Sequence, residues 1–261
     1  MVALLDGAPV GGKALRALAL VNYGHFTTMR VDGEGRVRGL GLHLERLERD
    51  CRAVLGAALD PGRVRREVAA AVRGEAGAVV ARVTVFDPEL GVGEPERPAR
   101  PRVLVTTRAA GAGEPGPLRV RSCVFAREAP SVKHVGLFGA LHQRRAARLA
   151  GFDDALFTGP DGLVSEGPTW NAGFVAEDGT VVWPRAEALP GVTSALLRRD
   201  VPHEAAPVRV GERRLVAAFA TNAAVGVRPI ASVDGRELDA AHPVLERLRA
   251  AYGAVRAESL T

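Results

Sequence analysis

The spacing of apolar positions divides the chain into short strands and amphipathic helices. Residues 2–5 read as a strand, followed by the turn Asp6-Gly7. HFTTMRV (25–31) reads as a strand, and Asp32-Gly33-Glu34-Gly35 offers a hairpin turn into RVRGL. From Leu42 the period becomes helical: Leu44, Leu47, Cys51, Val54 and Leu55 recur at three- and four-residue steps, and Gly56 marks the stop. Residues 61–73 repeat that habit between Pro61 and Gly74. AVVARVTVF (78–86) and RVLVTTR (102–108) are β-rich runs, separated by the loop FDPELGVGEPERPARP. A second Pro/Gly-rich stretch, AAGAGEPGP (109–117), divides the chain.

The second half opens with the strand LRVRSCVFA. A loop holding Lys133 leads into a helix from about Leu137 to Ala150, ended by Gly151. Short strands follow at close spacing: DALFTG, LVSEG, AGFVAED and TVVWP, with turns at Pro160-Asp161-Gly162 and Asp178-Gly179. Pro190-Gly191 begins the helix VTSALLRRDV; VRVGERRLVAAFATN carries a further strand or helix; HPVLERLRAAYGAV is an amphipathic tail helix. The expected class is α+β, with a smaller α/β domain at 1–110, a linker at 111–117 and a larger β-rich domain at 118–261.

Charge changes this picture little. The net charge is +5, but the basic residues are scattered and pairs such as Arg198-Arg199 sit beside acids, so general arginine richness is preferred to nucleic-acid binding. No apolar run reaches membrane-span length, and the first residues lack the pattern of a signal peptide. Cys51 and Cys123 form no metal-ligand spacing and no bridging framework, so no metal is expected and a reducing cytoplasm is the expected location.

One count is more informative. Of the 35 basic side chains only Lys13 and Lys133 are lysine. Lysine, unlike arginine, has an amine that can deprotonate and attack a carbonyl. Lys13 lies in a Gly-rich turn, VGGKAL, and reads as a solvated charge, which leaves Lys133 as the candidate nucleophile.

Around Lys133 the segment SVKHVGLFGALHQRRAARLAGFDDALFTGPDGLVSEGPTWNAGFV resembles the class IV aminotransferases, which include branched-chain and D-amino acid aminotransferases and aminodeoxychorismate lyases. The family has a lysine-bearing loop and helix, a Gly-x-Asp-[Asp/Glu]-Ala-Leu segment, a turn and a strand ending in Glu-Gly; here lysine and glutamate stand 33 positions apart. FTTMRV with HLERLERDC, and later LPGVTSALL and TNAAVGVRPIASVDG, resemble its remaining signatures, so the likeness spans nearly the whole chain and is weakest over 57–120.

The resemblance implies the two-domain D-amino acid aminotransferase-like fold (pyridoxal-phosphate fold type IV), with a pseudo-barrel second domain. It implies pyridoxal 5'-phosphate bound to Lys133 as a Schiff base, with Glu166 facing the pyridine nitrogen. It implies a phosphate held by Arg46, by Val192 and Thr193 at a helix start, and by the turn of Asn222 and Ala223, with Asn171 ordering the region after Glu166. Tyr23, Phe26 and Thr28 are the substrate-side candidates. His25 and His134 read as local hydrogen-bonding groups before second-layer groups, and Trp170 and Trp183 as packing.

Three positions depart from the family pattern. Phe138 stands where branched-chain and related aminotransferases often carry Tyr. Asn22-Tyr23-Gly24 replaces a common Gly-Asp-Gly. DPELGVGEPERP replaces an Arg/Gly-rich loop that holds a substrate carboxylate in many members. The expected reaction is amino-group exchange between an amino acid and a 2-oxo acid. The alternative is aminodeoxychorismate lyase activity, eliminating pyruvate to give 4-aminobenzoate, which FTT, His134 and Asn222-Ala223 favour locally. A small anionic amino-acid or chorismate-derived substrate and a homodimer are the expected partners, with neither nucleic acid nor membrane.

Overall fold

The computed structural model describes residues 2–111 and 113–261; Met1, and Ala112 within the expected linker, lie outside the described residues. The chain forms two compact units. The first runs to Gly111 and also contains Val132–Gly136 and Arg256–Thr261; the second comprises Gly113–Ser131 and Leu137–Val255. This differs from a single cut at 111–117. The Lys133 segment and the C-terminal strand, both expected in the second domain, belong to the first unit, because each is hydrogen-bonded to it.

The first unit is a sheet with helices on both faces. Its elements are β1 (Ala3–Leu5), β2 (Ala8–Pro9), α1 (Gly12–Val21), β3 (His25–Val31), β4 (Arg36–Arg38), α2 (Leu40–Leu55), α3 (Pro61–Val72), β5 (Val79–Phe86) and β6 (Arg102–Ala109). The pleat sends alternate side chains to opposite faces. Met29, Val31, Val83, Val85, Val103 and Val105 meet Leu47, Cys51 and Leu55 of α2 and Val64 and Val68 of α3 in one core. Asp60 starts α3 by accepting from the Gly62 N–H at 2.8 Å, with Pro61 in the first turn, where its missing donor costs nothing. Gly56 ends α2 in the left-handed conformation at φ 60°. GKALRALALV forms α1, so Lys13 stands in its first turn and not in a Gly-rich turn; its amine, largely exposed, pairs with Glu89 at 2.8 Å.

The second unit is built on a sheet of β7 (Leu118–Val124), β8 (Asp154–Thr158), β9 (Asn171–Ala176), β10 (Val181–Pro184), β11 (His203–Ala206), β12 (Leu215–Asn222), β13 (Gly226–Val233) and β14 (Arg236–Glu237), with α4 (Phe138–Leu149), α5 (Val192–Asp200) and α6 (Pro243–Ala254). The strand order is β11-β10-β9-β12-β13-β7-β8, with β14 on β13. LVSEG, expected as a strand, forms isolated bridges: Glu166 to Asn171 and, along one path, Thr158 to Val164 and Leu163 to Arg209. The last two bridges link β8 at one edge to the chain just past β11 at the other, which gives the sheet its pseudo-barrel character. VRVGERRLVAAFATN, open between strand and helix, ends in strand β12. One face of the sheet packs Trp170, Phe174, Ile230 and their neighbours; the other packs Trp183, Phe219 and Leu197 with α5 and α6.

The last strand, β15 (Ala257–Ser259), pairs with β4 in the first unit. Leu260 is buried in that unit's core, and the Arg65 guanidinium donates to the carbonyls of Ser259 and Leu260 at 2.7 and 3.2 Å.

Candidate active site

In the first unit Lys133 lies in a short extended segment beside β3. Its carbonyl accepts from the Phe26 N–H at 2.8 Å, the Val135 N–H donates to Gly24 at 2.9 Å, and His134 bridges His25. Its Nζ lies 4.9 Å from the centroid of the Phe26 ring, within cation–π reach. Thr28 follows on the same face of β3, paired in register with Arg82. Tyr23 is not drawn in: it is exposed, and its hydroxyl donates to the Val54 carbonyl at 2.7 Å, because Asn22 in left-handed backbone turns the chain after α1.

Behind Lys133, α2 presents His43, Arg46 and Asp50 on successive turns of one buried face. The Arg46 Nη2 donates to the Thr27 hydroxyl and lies 3.3 Å from His43 Nδ1, while Thr27 and His43 Nδ1 are 2.8 Å apart. Burial lowers Arg46 to about 10, where it stays cationic at neutral pH, and its Nε has no hydrogen-bond partner among the described residues. Burial pushes His25 down to about 4, against the pull of Asp50, and holds His43 well below the ordinary histidine range, with the Arg46 and Lys133 charges adding to the effect. Sequence reading missed His43 and Asp50, although their positions three before and four after Arg46 on an otherwise apolar helix face were a visible signal. It also missed Arg82, whose guanidinium stacks on Phe26 at 3.8 Å with its Nε on Thr84. Among the described residues Arg82 has no acidic partner within ion-pair distance, and burial lowers its pKa.

In the second unit Glu166 is buried, and its Oε1 accepts from Arg127 Nε at 2.5 Å; Arg127 also donates to the Pro168 carbonyl at 2.7 Å. Glu166 and Asn171 form a backbone bridge. The Asn171 amide donates to Leu189 at 2.8 Å, and its Oδ1 sits so close to Gly191 that a Cβ there would come within 1.9 Å. Gly191 precedes α5 without a side-chain cap, so the first amides of that helix, Val192 and Thr193 among them, face a position suited to an anion. The Thr193 hydroxyl is buried and, among the described residues, without a hydrogen-bond partner. Asn222 Oδ1 closes the turn after β12, accepting from Ala224 and Val225 at 3.0 Å each, with Ala223 between. A separate cleft of about 470 Å3 is lined by Arg144, Arg148, Trp170, Asn222 and Arg228 among others; of the expected residues only Asn222 reaches it. Trp170 and Trp183 are packed, Trp170 donating to Asp154 at 2.9 Å and Trp183 meeting Phe219 edge-on.

The family model for amino-transferase class IV matches residues 24–233. The chain belongs to the class IV aminotransferase family. Members of this family use pyridoxal 5'-phosphate. The chain is 34% identical over 114 residues to the branched-chain-amino-acid aminotransferase of Pseudomonas aeruginosa, a match covering 39% of this chain and 36% of that protein. It superposes on a branched-chain aminotransferase from Thermoproteus uzoniensis, solved with norvaline, with a TM-score of 0.84 at 22% identity, covering 97% of this chain and 93% of that one. A hypothetical aminotransferase from Mycobacterium tuberculosis in its PLP-bound form gives a TM-score of 0.82 at 20% identity over 98% of this chain and 100% of that one. At such identities the likeness establishes the type IV fold. No helix among the described residues is long and apolar enough to cross a membrane.

Proposed function

We propose that the protein is a pyridoxal-phosphate-dependent aminotransferase that exchanges an amino group between a small amino acid and a 2-oxo acid, with Lys133 holding the cofactor covalently. The observation that carries this reading is the state of Lys133 in a chain with two lysines: half-buried, its carbonyl tied to Phe26, its amine over the Phe26 ring, while Lys13 is spent on an exposed ion pair. Relatives named branched-chain aminotransferases favour an aliphatic amino acid as one substrate.

The residues fit the cofactor. A phosphate needs donors, and in the second unit the uncapped start of α5 with the Thr193 hydroxyl offers them; the turn of Asn222 and Ala223 and, in the first unit, the Arg46 guanidinium are the further donors this reading assigns. Asn171 keeps Gly191 and Leu189 in place beside that helix start. A pyridine nitrogen needs an acceptor that keeps it protonated, and Glu166 is a buried carboxylate. When bound, pyridoxal phosphate supplies the electron sink for charge developing at the substrate α-carbon.

The chain's own residues supply the rest. The Lys133 amine, released when substrate takes its place, removes a proton from the α-carbon and returns one elsewhere. His25 and His43, both held neutral, add no positive charge beside Lys133. Arg82 and Thr28 offer donors for a substrate carboxylate on the Phe26 side of β3. A cytoplasmic homodimer completes the proposal: Cys51 and Cys123 are both free thiols, as in a reducing compartment.

The test is to trap the cofactor by borohydride reduction and locate it by peptide mass spectrometry, with adduct expected at Lys133. Amino-group transfer from aliphatic amino acids to 2-oxoglutarate is expected in parallel. Pyruvate release from aminodeoxychorismate with no transfer to any 2-oxo acid would overturn the aminotransferase reading. Light scattering is expected to give a dimer; an active monomer would refute that part.

A further inference from the structure

We propose that Asp50 is a positioning residue for Lys133: its buried carboxylate anchors the lysine's own main-chain N–H and so fixes where the amine is presented. This rests on the reading that Lys133 is the reacting amine. Asp50 is fully buried on α2, one turn beyond Arg46. Its Oδ2 accepts from the Lys133 N–H at 3.0 Å, and its Oδ1 is held by the Nε and Nη2 of Arg49 at 3.1 and 2.8 Å. The carboxylate therefore cannot swing away without breaking two charge-assisted bonds.

A buried carboxylate is costly to desolvate, so one placed on a main-chain N–H calls for an account. The geometry offers one. The carbonyl of Lys133 is bonded to Phe26 and the next residue but one is bonded to Gly24, so the segment is fastened along the start of β3. Lys133 lies outside the regular strands, and its N–H is taken up by the Asp50 carboxylate. With both peptide groups of Lys133 held, the stem of the side chain leaves the backbone in one direction, along the Phe26 ring. Reacting groups displaced by as little as about 1 Å lose rate on the order of 100-fold, which is the scale on which such an anchor matters.

The experiment has two parts. In cofactor-free protein, amide hydrogen exchange at Lys133 is measured for the unsubstituted chain, Asp50→Asn and Asp50→Ala. Asn keeps an acceptor oxygen, so protection is expected to persist in Asp50→Asn and to fall about ten-fold in Asp50→Ala, the worth of one hydrogen bond. In the loaded enzyme, Asp50→Ala is expected to lower kcat by 10- to 100-fold with KM changed far less, and Asp50→Asn to recover most of that loss. Unchanged exchange at Lys133 in Asp50→Ala overturns the anchor. If Asp50→Ala fails to fold, Asp50→Asn decides: protection and kcat both near the unsubstituted values support the proposal, and kcat lost with protection intact overturns it. Failure of the unsubstituted protein to form any adduct at Lys133 would sink the functional reading instead, while the exchange comparison still reports on the anchor itself.

Discussion

Glu166 and Arg127 form a buried ion pair, Nε to Oε1 at 2.5 Å, with side-chain exposures of 4% and 11%. Arg127 is held in turn by the Pro168 carbonyl, so the carboxylate is oriented from a fixed point. Removing one member of such a pair strands the other, at about 3–5 kcal/mol. Arg127→Met is therefore expected to lower unfolding free energy by that order in denaturant titration. Glu166→Gln keeps an acceptor for Arg127 and is expected to cost less. It should retain cofactor binding and slow turnover, since the ring nitrogen loses its charge partner. Equal turnover in Glu166→Gln and the unsubstituted protein would remove Glu166 from the proposed role.

The two lysines make a controlled pair. Lys133→Ala is expected to abolish the visible absorbance of bound cofactor and all transfer activity. Lys13→Ala, which breaks only an exposed pair with Glu89, should leave both as they were and shift stability by less than about 1 kcal/mol. Absorbance spectra of the two purified variants, followed by borohydride trapping, check this. A trapped adduct persisting in Lys133→Ala would move the assignment to another residue.

Why some of this could be read from the chain, and some not, follows from the range of each interaction. Strands such as HFTTMRV and helices such as Leu40–Leu55 are set by local period and by glycines that permit left-handed backbone, so they were legible. LVSEG has strand composition but makes only isolated bridges, to neighbouring β8 and Asn171 and to Arg209 past β11, the last of these distant in sequence. The assignment of Val132–Gly136 and β15 to the first unit rests on bonds such as Lys133 to Asp50, 83 residues apart, and Arg65 to Ser259, 194 apart. No local pattern announces them. Lys133 and Glu166 are proposed from a spaced motif, whereas Arg82 reads in sequence as one more polar position in a β-rich run and stands out only once its lack of an acidic partner among the described residues is seen.

Arg82 supplies the next expectation. A half-buried guanidinium with no carboxylate partner is poised for an external one. Charge-assisted hydrogen bonds are worth about 1.5–3 kcal/mol. Arg82→Gln is thus expected to reduce kcat/KM for 2-oxo acids by roughly 10- to 100-fold, mostly through KM, with cofactor absorbance retained. Steady-state kinetics with 2-oxoglutarate and a monocarboxylic 2-oxo acid measure it; an unchanged KM for both would exclude Arg82 from substrate binding.

Thr193 predicts effects of opposite sign in two states of the protein. Its buried hydroxyl has no partner among the described residues, and an unsatisfied buried group costs about 1–3 kcal/mol. Thr193→Val removes that cost at nearly constant volume, so the cofactor-free protein should become more stable, by about 1 kcal/mol. The same change removes a phosphate donor, so cofactor affinity should weaken by about ten-fold. Thermal melts without cofactor, paired with cofactor titration, test both signs. A lower melting temperature in the cofactor-free variant would mean the hydroxyl has another task.

The buried histidines predict how stability follows pH. His25 falls from its ordinary 6.5 to about 4, mainly through burial, and His43 lies well below its ordinary value for the same reason. His43 Nδ1 also faces Arg46 and the Thr27 hydroxyl, so a proton there would meet a guanidinium. Below pH 6.5 the unfolded chain takes protons at both positions while the folded chain refuses them, so protons favour unfolding. Stability is present in full above about 6.5 and is lost as pH falls toward 4, with His25 alone accounting for roughly 3 kcal/mol. Asp153, held by the Arg119 main-chain N–H, is shifted below the ordinary carboxylate range and acts lower on the scale, so this window belongs to the histidines. Denaturant unfolding at pH 7.5, 6 and 5 is expected to show the decline, and His25→Asn to flatten it. A stability profile level from pH 7.5 to 5 in the unsubstituted protein would show that these imidazoles are accessible to protons in the folded state.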